Sequence, residues 1–200
     1  MLAMFDQQTN NPASGQTAWD VLHANAVTRI DNRFARHHDF AEPGQLMVSF
    51  RGFDAIALVD VKSERIVWAS RGFWWNQHDP DPLPNGNIMV FDNHGYGGLG
   101  GHSRILEFNP ADNSIAWSYS GDRNDPFWTR RRGSQQVLPN QNLLVTSTEA
   151  GRIFEITRRG QVVWEYFNPT RRTDADGTEY IGIVCSGRRY AADELTFLQD

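Results

Sequence analysis

Apolar and polar residues alternate in short runs along most of this chain, and turn residues bound the runs. Period-two alternation predicts strands with two distinct faces. In Arg152-Ile-Phe-Glu-Ile-Thr157, one face carries Arg152, Phe154 and Ile156, and the other Ile153, Glu155 and Thr157. Arg104, Leu106 and Phe108 fill the first face of an earlier copy, and Ala55, Ala57 and Val59 that of the earliest. Each copy leads through a turn to a strand ending in tryptophan: Trp68, Trp117 or Trp164. The steps from Asp60, Asn109 and Thr157 to these tryptophans are eight, eight and seven residues, and the tryptophans lie 49 and 47 residues apart. A period of that size in an all-β sequence predicts the four-stranded blades of a β-propeller.

The first blade is expected over about 19–70, with strands Val21–Ile30, Gln45–Arg51, Asp54–Val61 and Arg65–Ser70. The second spans about 77–120, with His78–Leu83, Asn87–Asp92, Ser103–Asn109 and Ser114–Ser120. The third spans about 133–166, with Ser134–Leu138, Asn142–Ser147, Gly151–Thr157 and Gln161–Tyr166. Leu83-Pro-Asn-Gly-Asn87 and Leu138-Pro-Asn-Gln-Asn142 sit at matching places. Proline fixes φ there, and asparagine or glycine accepts the positive φ of a tight turn. Residues 1–18 form a polar, mobile lead-in, and 19–200 a partial propeller with an incomplete blade from about 180. Asp31 to Gly44 is a polar insertion carrying His37 and His38. Only Ala191 to Gln199 suggests a helix, and a short one. Closed propellers need four or more blades, so three blades and part of another are expected to be a piece of a larger ring.

Composition adds bounds. A hydrophobic share of 40% and a charged share of 22% fit a globular protein, and seven tryptophans and twelve phenylalanines suit packing between sheets. The net charge of −5 gives no reason to expect nucleic acid as a partner. No apolar run is long enough to span a membrane, and Met1 to Gly15 lacks the profile of a signal peptide. The single cysteine, Cys185, lies in the strand-like run Ile181-Gly-Ile-Val-Cys185 and reads as a small buried hydrophobe.

Departures from the repeat are the candidates for chemistry. The first strands open with Leu22-His-Ala-Asn25, Asn76-Gln-His-Asp79 and Gly133-Ser-Gln-Gln136, and residues there converge at one mouth of a propeller. His23 and His78 read as equivalent positions in neighbouring blades, with Ser134, Gln135 or Gln136 in the third. Histidine can act there as nucleophile, general acid or base. The long connection Phe91-Asp-Asn-His-Gly-Tyr-Gly-Gly-Leu-Gly-Gly-His-Ser-Arg104 carries His94 and His102 and delivers Arg104, whose planar fork suits a tetrahedral oxyanion. Its glycines open no helix, which excludes a nucleotide P-loop. Arg130-Arg-Arg132 reads as a solvated face that could steer anions. The adjacent His37 and His38 diverge on an extended insert, so no metal site is expected.

At these residues the chain resembles the bacterial arylsulfate sulfotransferase family. The resemblance rests on His23-Ala-Asn25, on Gln77-His-Asp79 followed by Leu83-Pro-Asn-Gly-Asn-Ile88 and Phe91-Asp-Asn93, on Ser103-Arg104, and on Gln161-Val-Val-Trp-Glu-Tyr166. It covers about residues 19–169. It implies a six-bladed propeller that moves a sulfuryl group from an aryl sulfate, a phenolic ester, to a phenol through a sulfated histidine. It also implies a periplasmic location and no cofactor. Carried over by motif, His23, His78 and Arg104 are the expected catalytic residues, with Arg104 as sulfate clamp. Asn25, Asn93, His94 and His102 are expected to bind substrate. The sulfated histidine itself stays open: it could lie beyond Asp200, or the chain could be a relative without transferase activity. A second class of function is a non-catalytic propeller that binds an anionic or aromatic ligand or a protein. Quinone-dependent dehydrogenase propellers share the tryptophan period, but no disulfide or acidic calcium-site signature accompanies it here.

Overall fold

The computed structural model describes residues 20–94, 102–121, 127–195 and 197. The expected lead-in and the glycine-rich stretch 95–101 lie outside the described residues. The fold is all-β and consists of antiparallel four-stranded meanders, the blades of a partial propeller. The first sheet holds β1 (Ala24–Arg29), β2 (Leu46–Phe50), β3 (Ala55–Asp60) and β4 (Arg65–Arg71) in chain order. The second holds β5 (His78–Pro82), β6 (Ile88–Asp92), β7 (Arg104–Phe108) and β8 (Ile115–Tyr119). The third holds β9 (Ser134–Val137), β10 (Leu143–Ser147), β11 (Arg152–Ile156) and β12 (Val162–Phe167), and a hairpin of β13 (Arg171–Thr173) and β14 (Glu179–Ile181) follows. The chain divides into two compact units, Met1–Ser120 and Gly121–Asp200. Among the described residues no helix is long and apolar enough to cross a membrane.

The matching turns of blades two and three do more than reverse the chain. Gly86 N–H and Gln141 N–H donate to the carbonyls of Leu83 and Leu138 at 3.0 and 2.8 Å, with φ of +87° and +68°. The flanking asparagines then reach across the sheet. Asn85 and Asn87 both donate to Glu107 Oε1, at 2.9 and 2.8 Å, and Asn140 and Asn142 both donate to Glu155 Oε1, at 3.2 and 2.6 Å. A glutamate on a middle strand thus has one carboxylate oxygen satisfied by its own blade, which favours its burial; the other oxygen of Glu155 pairs with Arg189. Both faces of β6 and β7 are buried, so the in-and-out alternation read from the sequence marks two packed faces there rather than one wet one.

In the first unit the core lies between blades one and two, around Phe34, Met47, Ile56, Trp74, Ile88 and Phe108. The insertion at 31–44 supplies part of it and corrects the reading of that stretch as simply polar. Asp31 caps a short helix, α1 (Asn32–Ala35), by accepting from the N–H groups of Arg33 and Phe34 at 2.9 and 3.0 Å. The turn drops Phe34 and Ala35 into the core. His38 stacks on Phe40, and Phe40 on Trp68, with ring centroids 4.8 and 5.5 Å apart. His37 Nε2 meets the carbonyl of Pro84 at 3.1 Å and His38 Nε2 that of Gly86 at 2.6 Å. The two histidines therefore latch blade one onto the turn of blade two.

In the second unit the segment after β14 crosses blade three. Val184 N–H donates to the Thr148 carbonyl, Gly187 N–H to Thr146 Oγ1, and Arg189 N–H to Gln136 Oε1. Cys185 is exposed on this segment, and Arg132 donates to its sulfur at 3.0 Å. That corrects the expectation of a buried strand cysteine: the strand stops at Ile181, and after Gly182, whose N–H still donates to the Thr170 carbonyl of the hairpin, the chain passes to blade three, where Val184 N–H donates to Thr148. The helix expected near 191–199 is a single 3₁₀ turn at Ala192–Glu194.

Candidate functional site

The first unit gathers its polar chemistry where β5 begins. Trp74 to His78 is pinned from several directions. Trp74 Nε1 donates to the Asp54 carbonyl at 2.8 Å, Trp75 N–H to Asp92 Oδ1 at 2.9 Å, and Asn76 N–H to Asp54 Oδ1 at 2.7 Å. Gln77, fully buried, donates through Nε2 to Ser49 Oγ at 3.1 Å and to the Ala55 carbonyl at 2.9 Å. Asn25 Nδ2 donates to the Gln77 carbonyl at 2.8 Å and so ties β1 to β5. The segment is also strained. His23, Asp54, Asn76 and Asp79 all have φ between +45° and +53° without being glycine. Such a group of left-handed residues persists only where surrounding bonds over-determine the backbone.

His78 is the centre of this cluster. Its Nδ1 lies 2.7 Å from Asn93 Oδ1 and 3.1 Å from the Asn76 carbonyl. A carbonyl oxygen only accepts, so Nδ1 carries the proton and Nε2 presents the lone pair. Burial pushes the imidazole down to about 4 from its ordinary 6.5. The positive charges of Arg51 and of protonated His23 push the same way, and the bonds to Asn93 and Asn76 oppose them. Near neutral pH His78 is therefore an uncharged base or nucleophile in a dry setting. A bulge re-aims it: β5 slips by one residue against β6 between His78 and Asp81, next to the positive φ of Asp79.

The other expected residues fall into groups. His23 lies just before β1, half-buried, with Nδ1 2.7 Å from Asp20 Oδ2. The equivalence expected between His23 and His78 does not hold in register. His78 faces Phe91, the fourth residue of β6, and Ala26 faces Ser49, the fourth residue of β2. In blade three the same place is Ser134, opposite Thr146. Asn93 is fully buried and holds His78. Ser103 Oγ in turn donates to the Asn93 carbonyl at 2.8 Å.

Arg104, expected as a sulfate clamp, is buried. Its Nε pairs with Asp92 Oδ2 at 2.7 Å, and a terminal nitrogen donates to the Phe73 carbonyl. Asp92 in turn receives Trp75 N–H and, at 3.3 Å, His94 N–H. His94 is buried, whereas His102 is exposed.

Sequence reasoning missed Arg51, Asp54, Gln77 and Asp92. Burial pushes the Asp54 carboxyl up, while the Asn76 N–H and the charges of Arg71 and Arg51 pull it down. The acceptor oxygens Asn25 Oδ1 and Gln77 Oε1 are buried and have no hydrogen-bond partner among the described residues. Both suit a ligand or water that donates. No group of His, Cys, Asp or Glu among the described residues could hold a metal ion, and His37 and His38 are turned to carbonyls. Two surface hollows of about 480 and 270 Å³ flank α1 and Pro43 and share no residue with the cluster.

A sequence model of the family described as arylsulfotransferase (ASST) matches residues 3–169. No curated protein matches the sequence. Among solved structures, the WD40 β-propeller domain of Doa1 is similar at 11% identity and a TM-score of 0.51, over 80% of this chain and 47% of that one. Virginiamycin B lyase from Staphylococcus aureus is similar at 15% identity and a TM-score of 0.43, over 71% and 46%. A protein from Bacteroides caccae is similar at 16% identity and a TM-score of 0.44, over 68% and 48%. The chain thus spans about half the length of these structures. At such identities the likeness to Doa1 speaks for the fold alone.

Proposed function

The chain belongs to the arylsulfotransferase family, and on that premise we propose that it serves a propeller that moves a sulfuryl group from a phenolic sulfate ester to a phenol, with His78 as the attacking base. Membership supports a sulfotransferase-like function. The observation that carries the finer reading is the state of His78: proton fixed on Nδ1 by Asn93 and the Asn76 carbonyl, lone pair on Nε2, and a pKa near 4.

In the first step Nε2 attacks sulfur, the sulfur–oxygen bond to the aryl group breaks, and a phenolate leaves. In the second step the acceptor phenol gives its proton to a neighbouring base as its oxygen attacks sulfur, the nitrogen–sulfur bond breaks, and the imidazole returns to its starting tautomer. Dividing the transfer in this way lowers each barrier. Nδ1–H stays on Asn93 and the Asn76 carbonyl throughout, and these acceptors share the positive charge on the sulfated ring. The burial that makes the ring a weak base also makes it a good leaving group in the second step. His23, carried over by motif, is assigned as that base, and gives its proton to the departing phenolate in the first step. Arg104 acts through Asp92, whose Oδ1 accepts from the N–H groups of Trp75 and His94.

The test mixes the full-length protein with a chromogenic aryl sulfate and a phenol acceptor, and follows phenolate release. His78→Ala is expected to lose at least about 100-fold in kcat/KM, the scale of a positioned base or nucleophile. A sulfuryl adduct on His78 after quenching with donor alone is the matching signal. An unchanged rate in His78→Ala overturns the assignment. Ligand binding without turnover in the unaltered protein selects the binding-module reading instead.

A further inference from the structure

We infer that Asn85 is a latent modification site: its side-chain amide closes onto the nitrogen of Gly86 with loss of ammonia, and the turn and the His37–His38 latch hold this reaction off while blades one and two stay joined. The inference stands apart from sulfuryl transfer.

Asn85-Gly86 is the one Asn-Gly pair in the sequence. Asparagine before glycine is open to cyclisation because no side chain crowds the ring that forms. The Gly86 nitrogen attacks Asn85 Cγ, the Cγ–Nδ2 bond breaks, and ammonia leaves with the proton that Gly86 gives up. Water then opens the five-membered imide at either of its carbonyls, and leaves aspartate or isoaspartate.

The fold opposes each part of that reaction. Asn85 is exposed to water, but its amide is held at both atoms. Nδ2 donates to Glu107 Oε1 at 2.9 Å, and Oδ1 accepts from Asn87 N–H at 3.0 Å. Gly86 N–H is committed to the Leu83 carbonyl at 3.0 Å. Attack on Cγ needs the peptide plane between Asn85 and Gly86 to rotate, and that rotation carries Gly86 with it. Gly86 is buried under the insertion of blade one. A Cβ there would lie 2.6 Å from His37 Cβ, and the Gly86 carbonyl meets His38 Nε2 at 2.6 Å. His37 Nε2 holds the Pro84 carbonyl on the other side of Asn85. The latch that joins the blades therefore also guards the nitrogen.

The product cannot restore what it breaks. Neither aspartate nor isoaspartate donates to Glu107, and each sets a carboxylate beside one that is 6% exposed, where like charges repel. Isoaspartate also lengthens the backbone by one carbon just before Gly86, which shifts the carbonyl that His38 holds. Blade three contains the control. Asn140 Nδ2 donates to Glu155 Oε1, and Asn140 Oδ1 accepts from Asn142 N–H at 3.0 Å, but the residue that follows is Gln141.

The experiment keeps the full chain in mildly alkaline buffer, with and without urea, and follows the amide-to-acid mass change at Asn85 and Asn140 by peptide mapping. Enzymatic methylation of isoaspartate identifies the product. Conversion at Asn85 should be at least about tenfold slower in the folded protein than in urea, because it waits on local opening. His37→Gly with His38→Phe strips the cover and both carbonyl bonds yet keeps a ring on Phe40, and should speed conversion about threefold or more. Ile56→Val loosens the same core away from the turn, and should leave the rate within about twofold of the parent's. Asn140 should stay unconverted in every sample. Asn85→Asp supplies the product's charge directly, and should lower the urea midpoint and quicken hydrogen exchange at the Gly86 amide. Equal rates in the folded protein and in urea, no conversion in urea, or an equal gain from Ile56→Val overturns the inference. Unchanged exchange and midpoint in Asn85→Asp overturn the claim that conversion opens the latch.

Discussion

Blades two and three are built on one pattern and use it differently at the same two positions. Arg104 and Arg152 both open the third strand of their blade. Asp92 faces Arg104 across the ladder in blade two, and Ser147 faces Arg152 in blade three. With an acid opposite, Arg104 folds inward and is buried. With a serine opposite, Arg152 turns to Glu165 on the outer strand, 2.8 Å away, and lies over the rings of Phe154 and Phe167. At the start of the first strand, His78 sits on a bulge in blade two, and Ser134 sits in a regular ladder in blade three. The blade fold thus tolerates either set. Two differing positions and a single slipped residue separate the buried polar cluster of blade two from the matching place in blade three.

The largest expected effect tests the arginines. Arg104→Met leaves Asp92 charged and buried, and should cost about 3–5 kcal/mol. Arg152→Met loses a partly solvated ion pair and ring contacts, and should cost about 1–2 kcal/mol. Urea midpoints measure both. The double change Asp92→Asn with Arg104→Met should recover much of the loss. Equal losses at the two arginines would mean that the carboxylate opposite does not set their fates.

The next effect tests the histidine. Below pH 6.5 the unfolded chain takes up a proton at His78 that the folded chain refuses until about pH 4. Stability therefore falls as pH drops across that window, by up to about 3 kcal/mol at its lower end. Comparison of unfolding free energies between the parent protein and His78→Gln from pH 7 to 4 isolates this slope from that of the carboxylates. Ser134 in blade three has no proton to contribute. If the two proteins show parallel curves, His78 is not held in the dry environment described.

The blades were readable from alternation in the strands, joined in blades two and three by Pro-Asn at the first turn. The fates of single residues were not readable. Phe34 lies in a polar insertion, and only Asp31 capping α1 sends it into the core. Ile181 to Cys185 has strand composition, yet after Gly182 the chain leaves the hairpin and Val184 bonds to Thr148 of blade three instead. His23 and His78 look equivalent when spacing is counted, but bulges in β1 and β5 shift the count, and bulges leave no reliable mark in one sequence. Asn93 could be named from its motif, but not as the residue that sets the tautomer of His78. Arg51 belongs to no motif, and the bonds from its N–H to the His23 carbonyl and from Gly52 N–H to that of Leu22 depend on tertiary structure alone.

The smallest effect compares the matching turns. Gly86 and Gln141 make the same backbone hydrogen bond with similar positive φ, so by backbone alone a side chain should be tolerated equally at both. The latch breaks that equality. A Cβ at Gly86 would lie 2.6 Å from His37 Cβ and 2.8 Å from its Cγ, and must push blade one's insertion off the turn. Gly86→Ala should therefore cost about 2 kcal/mol, part from the left-handed backbone and part from the displaced latch. Gln141→Gly relieves the backbone without any such contact, and should shift stability by less than about 1 kcal/mol. The contact with His37 Cβ survives in His37→Ala, so that change should not rescue Gly86→Ala, whereas His37→Gly should rescue it in part. Thermal melting of the four variants decides the point. A cost at Gly86 no greater than that of an ordinary left-handed alanine would show that the latch yields freely, and that the two turns differ in sequence only.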